Sequence, residues 1–140
     1  MIRLILIALN EFSTQGIPGV ENNPRVLQYF SDIGQKWVKD DETAWCAAFM
    51  NWCLLRAGVK GTNSLLARSF LRYGIAVDFP VLGDIVVLWR INKTSPYGHV
   101  GIFIREKDNM IYILGGNQAN SVNITGFSKE QLLSYRRIVE

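Results

Sequence analysis

"TAWCAAFMNWCLLRAG", residues 43 to 58, holds both cysteines of a 140-residue chain, Cys46 and Cys53. Whether this stretch is a helix decides the fold. Cys46, Phe49, Met50, Cys53, Leu54 and Ala57 recur at the i, i+3, i+4, i+7 spacing of one helical face, with Thr43 as a capping residue and Gly58 as a stop signal. On that helix the thiols are separated by about 10 Å at 1.5 Å rise per residue, whereas a disulfide spans roughly 4.4 to 6.8 Å. They cannot be bonded to each other. The chain has one histidine, His99, so Cys and His together do not supply the four ligands of a structural zinc site, and no metal or cofactor is expected.

The two thiols differ by position. Cys53 lies within the apolar stripe and reads as a small core hydrophobe. Cys46 lies in the first turn, where unsatisfied N–H groups and the positive end of the helix dipole stabilise a thiolate, so it reads either as a nucleophile or as a second buried cysteine.

Working outward, the N-terminal side is helical. "MIRLILIALNEF" reads as a buried first helix, because its apolar run is shorter than a signal-peptide core and far below the ~20 residues of a membrane span. A loop follows, and then a helix from Pro24 to about Phe30 with Asn23 as its cap. A shorter helix is expected from Asn63 or Ser64 to about Tyr73. After Pro80 the period changes to that of strands: "DIVVLWR" (84–90), "HVGIFIR" (99–105), "MIYILGG" (110–116), "SVNITGF" (121–127) and "SYRRIVE" (134–140), with a helical turn from Ser128 to Leu133. Helices followed by an antiparallel sheet of about five strands is an α+β layout in one domain, 1–140.

Composition narrows the function. The chain is 49% hydrophobic and 19% charged, with 15 Lys and Arg against 12 Asp and Glu and no basic run longer than Arg136–Arg137. No nucleic-acid partner and no membrane insertion are expected. A monomer made in the cytoplasm without a signal peptide is the expected form.

His99 begins the strand "HVGIFIR" after a turn. It reads either as a solvated strand-end residue or as the base that takes the Cys46 proton and returns it to the leaving group. A Cys-His pair works best when a third group fixes the imidazole tautomer. The next strand ends in "LGGNQ", and antiparallel pairing brings that end beside the start of the His99 strand. Asn117 is placed for the role. Gln118 is the reserve, facing the opposite way if the strand continues regularly. Gly115 and Gly116 would let backbone or substrate come close.

"WCAAFMNWCL", "GDIVVLW", "GHVGIFI" and "LGGNQ", in that order, resemble the CHAP and NlpC/P60 group of papain-like cysteine peptidases and amidases, and most closely its short single-domain bacterial and prophage members. "GIPGVENNPRVLQYF" fits the same subfamily. The resemblance implies hydrolysis of a peptide or amide bond in peptidoglycan, an endopeptidase before an N-acetylmuramoyl-L-alanine amidase, with Cys46 as nucleophile, His99 as base and Asn117 as orienter. CHAP members often carry a glutamate two residues before that asparagine, where this chain has Gly115. The Cys46 N–H and one side-chain donor would meet the oxyanion, with Asn23 as a candidate whose competing role is the helix cap. Trp45 and Tyr97 are candidates to line the cleft; Trp52 and Trp89 read as core, and Asp84 as a turn residue. Peptidoglycan lies outside the cytoplasm, so phage lysis or a secretion system would deliver the enzyme, with an immunity protein as a possible partner. An acyltransferase, an idle wall-binding module using the same cleft, and a structural component are the rivals.

Overall fold

The alternating runs after residue 80 form an antiparallel sheet in a computed structural model that describes residues 2–15, 23–35 and 44–139. In chain order the elements are α1 (Ile2–Leu9), α2 (Pro24–Asp32), α3 (Cys46–Arg56), a 3₁₀ turn (Ala67–Arg72), β1 (Ile75–Val77), β2 (Ile85–Trp89), β3 (Gly98–Lys107), β4 (Met110–Gln118), β5 (Ser121–Ser128), a second 3₁₀ turn (Lys129–Gln131) and β6 (Leu132–Arg137). The sheet has six strands in the order β1-β6-β2-β3-β4-β5, one more than the sequence predicts. The extra strand, β1, pairs Ile75 with Arg137 at the edge. Three residues are too few for alternation to register.

The expected helices are present with two corrections. α1 buries only Leu4, Ile5 and Ala8, while Ile2, Leu6 and Leu9 face solvent, so it is buried along one face alone. The helix expected after Ser64 is a 3₁₀ turn from Ala67. The cap expected of Thr43 lies outside the described residues, and α3 starts from Trp45 with no side-chain cap bond. At α2 the expectation stands: Pro24 opens the helix and the Asn23 Oδ1 accepts the Arg25 N–H at 2.8 Å.

α3 is buried from Cys46 to Leu54 because it packs on β3 and β4 with one side and on α1 and α2 with the other. A helix covered all round needs no polar face. The sheet's period of two then sorts its own residues: Ile85, Val87, Val100, Ile102 and Leu114 join the helix-side core, and Val86, Leu88, Phe103, Ile111, Ile113 and Tyr135 form a second cluster. Gly116 sets the contact between the layers, since a Cβ there would lie 2.7 Å from the Phe49 Cβ and 2.8 Å from the Trp45 ring. Asp84, read as a turn residue, accepts the Val81 N–H at 2.8 Å and holds Arg137 through both carboxylate oxygens.

Candidate active site

Cys46 is the first residue of α3 and His99 the second of β3, and the packing of α3 on β3 brings the thiol and the imidazole close enough for each to shift the other's pKa. Both are 6% exposed. Burial alone would push the Cys46 thiol up. The hydrogen bond and charge of His99, then the N–H groups of Val100 and Ala47, outweigh it and leave the thiol below its ordinary value. For His99 burial acts downward, and contact with Cys46 and Gln118 more than offsets it, with the Arg90 charge opposing. The two shifts together favour a thiolate–imidazolium pair. Cys53 has the opposite fate, since burial and the Glu11 charge push its thiol well up. Both cysteines are free.

The side chain that meets the His99 ring is that of Gln118, where Asn117 was expected. His99 Nε2 and Gln118 Oε1 are 2.9 Å apart. The Gln118 Nε2 donates to the carbonyls of Ile113 (3.0 Å) and Asn123 (2.8 Å) and to the Asn123 Oδ1 (3.0 Å). Backbone carbonyls only accept, so the amide nitrogen must face them and the amide oxygen must face the ring. His99 Nε2 is therefore the donor, and Nδ1 is the nitrogen left for Cys46.

The reason lies in the backbone. The β4–β5 register shifts between Gly115 and Gln118, and Asn117 adopts a left-handed φ of 58°. Such a bulge reverses the alternation expected of a regular strand, so Gln118 turns toward His99 and Asn117 lies on the cleft wall. Gly115 makes room: a Cβ there would meet the Gln118 Oε1 at 2.6 Å. At the place where the resemblance leads one to expect a glutamate, this chain leaves the space that the Gln118 amide occupies. The signal was present in "GGNQAN", because Asn is enriched in left-handed conformations and bulges.

The other expected residues divide. Tyr97 is 61% exposed and lines a cleft of about 420 Å³ beside Cys46 with Leu65, Leu66, Ile91 and Pro96. Trp45 does not line a cleft; it is fully buried, its ring near Tyr29 and Phe49 and its Nε1 donating to the Asn120 Oδ1 at 3.4 Å. As the residue that precedes a helix buried on every side, it has nowhere to turn but inward. Asn23 is occupied at the α2 cap, its Nδ2 donating to the Gln15 carbonyl at 2.5 Å. Trp52 is core, as read, and Trp89 is half-buried, donating to the Glu130 carbonyl.

Three residues were not anticipated. The Phe127 ring lies against His99, tilted by 33° with ring centroids 5.0 Å apart. Asn123 locks Gln118 by also donating to its carbonyl at 2.8 Å. Arg90 borders both the Cys46 cleft and a second one of about 410 Å³ beside His99 and Gln118. None carries a local motif, since each reaches the site through strand pairing. Among the described residues no cluster of three His, Cys, Asp or Glu could hold a metal ion, and no helix is long and apolar enough to cross a membrane.

Comparison with known proteins agrees with this geometry. The CHAP domain family matches residues 38–117. Among solved structures, the chain is similar to one from Staphylococcus aureus subsp. aureus Mu50 described as similar to lipoprotein, NLP/P60 family, with a TM-score of 0.54 and 15% identity. The likeness covers 99% of this chain and 41% of that one, and is a likeness of fold. No match emerges among curated proteins.

Proposed function

The chain belongs to the CHAP domain family, and from that premise we propose that it is a cysteine hydrolase that cleaves a peptide bond in the stem peptides of peptidoglycan. CHAP domains are peptidoglycan-related hydrolases. The observation that carries the assignment is the buried chain from Cys46 through His99 to Gln118, whose hydrogen-bond polarity leaves Nδ1 open to the thiol.

Each residue then has a task. The Cys46 thiolate attacks the carbonyl carbon and forms an acyl-enzyme, while His99 delivers its proton to the departing amine. Water then attacks the thioester with His99 as base, releasing the acid and restoring the thiol. Gln118 is a positioning residue that holds the tautomer and ring plane. The oxyanion is met by the Cys46 N–H, one of the unsatisfied donors of the first turn of α3.

Aliphatic and aromatic side chains dominate the cleft beside Cys46. They suit the alkyl parts of a peptide better than hydroxyl-rich glycan, which favours an endopeptidase over an amidase. Purified peptidoglycan digested with wild type, Cys46→Ala and Cys53→Ala is the test. Release of cross-link or stem fragments by wild type and Cys53→Ala, lost in Cys46→Ala, is the expected result. Intact stem peptides freed from glycan would instead identify an amidase. A folded wild type that releases nothing from several wall chemotypes would overturn the hydrolase assignment.

A further inference from the structure

The two clefts that flank the Cys46–His99 pair share one charged wall, the side chain of Arg90. Arg90 directly follows β2 and is exposed. Among the described residues its guanidinium has no ion pair and no hydrogen bond. The neighbouring Arg68 is spent differently, donating to the carbonyls of Tyr97 (2.8 Å), Lys93 (2.8 Å) and Asn92 (3.0 Å). It clamps the loop that carries Arg90.

That loop is strained. Ile91 has a φ of 70°, a conformation that a β-branched residue adopts only when its surroundings impose it, and such strain gathers at ligand sites. The strained link and the Arg68 clamp hold an unpaired guanidinium where a polar cleft meets an apolar one. The same charge works against the His99 imidazolium. An anion seated on Arg90 would cancel that opposition. A guanidinium presents a planar fork of N–H donors that matches a carboxylate.

We propose that Arg90 forms an anion subsite that holds a free carboxylate of the substrate beside the scissile bond, so that the enzyme selects acidic over amidated stem peptides. This rests on the hydrolase assignment above.

The test uses one synthetic stem tetrapeptide containing γ-linked D-glutamate and diaminopimelate, prepared with its side carboxylates free or amidated. Wild type, Arg90→Gln and Arg90→Lys are compared by kcat/KM, and the same changes in a Cys46→Ala background are compared by calorimetric binding. A charge-assisted hydrogen bond corresponds to a preference of about ten- to a hundredfold for the free acid. Arg90→Gln should bring the ratio of the two peptides close to one, with Arg90→Lys between. The calorimetric comparison separates carboxylate binding from any indirect effect of the charge on His99, which acts on cleavage.

Cleavage of both peptides by wild type at equal rates would overturn the subsite and leave the hydrolase assignment standing. An undiminished preference in Arg90→Gln would do the same. If neither peptide is cleaved while the Cys46→Ala protein still binds the free acid through Arg90, the subsite stands and the hydrolase assignment fails. Absence of both cleavage and binding would overturn both.

Discussion

Cys46 and Cys53 share one helix and have opposite thiols, because only the first meets His99 and the N–H groups of Val100 and Ala47. A thiol lowered below its ordinary value stays ionised as pH falls beneath that value, and a raised histidine stays protonated as pH rises past its own ordinary value. Iodoacetamide should therefore alkylate Cys46 below the ordinary thiol pKa and leave Cys53 unmodified in the folded protein, as read by peptide mass mapping across pH. In His99→Ala the onset should move to higher pH, since burial is then opposed only by the N–H groups of Val100 and Ala47. An unmoved onset would show that His99 does not activate the thiol. Gln118 gives a second test at this scale. Gly115→Ala brings a methyl group into the place of the amide oxygen, and Gln118→Ala removes the amide. Each should lower kcat about ten- to a hundredfold, the cost of losing one hydrogen bond to a charged group, with little change in KM. Asn117→Ala should cost much less. Cys46 and His99 were legible as candidates because each is one of very few residues of its kind, placed at a helix start and a strand start. Gln118 was legible only as the reserve to Asn117, because its direction depends on a bulge that only cross-strand register defines.

At the scale of elements, the contact that matters is α3 on β4. Helix residues reach the sheet at Gly116, where the Trp45 ring and Phe49 occupy the space a side chain would fill. Gly116→Ala should therefore force α3 outward and destabilise the fold by about 1–3 kcal/mol, the usual cost of overpacking, measured as a shift of the urea midpoint with unchanged slope. Because Cys46 opens that same helix, the variant should also lower activity by more than its stability loss explains. Periodicity located α3 and the long strands well, since their apolar residues repeat over several turns or pairs. It missed β1, which has no internal pattern and exists because β6 offers it an edge. It also placed Trp45 in the cleft from its position beside the cysteine, whereas packing turned the ring inward.

Across the whole molecule, a half-buried ion pair ties the N-terminal segments to the core. Glu11, 6% exposed, receives Arg25 through both oxygens (2.6 and 2.9 Å) and the Tyr29 hydroxyl at 2.8 Å, while the Arg25 guanidinium lies 4.9 Å from the Trp52 ring centroid. Burial raises the Glu11 carboxyl, but the hydrogen bonds from Arg25 and Tyr29 prevail and lower it. A carboxyl lowered on folding stabilises the protein above its unfolded pKa and loses that contribution as pH falls through the folded value. Glu11→Gln should cost about 2 kcal/mol near neutral pH, less than a fully buried pair because Arg25 is 38% exposed. The gap from wild type should close as the pH drops below the ordinary carboxylate range, as followed by urea melts at stepped pH. A gap independent of pH would mean that Glu11 acts through shape alone.

The order of the main helices and long strands, the helix that carries both cysteines and the two cysteines' inability to pair are properties of the sequence by itself, because residue spacing and local chain geometry suffice to produce them. Tertiary structure alone decided that Gln118 and not Asn117 meets His99, that Trp45 is buried, that Asn23 is confined to its cap, and that Arg90 stands between two clefts. The physical reason is the same in each case. The direction of a side chain at a bulge, a helix start or a strand end is not set by a repeating backbone geometry; it follows from what the rest of the chain packs against it.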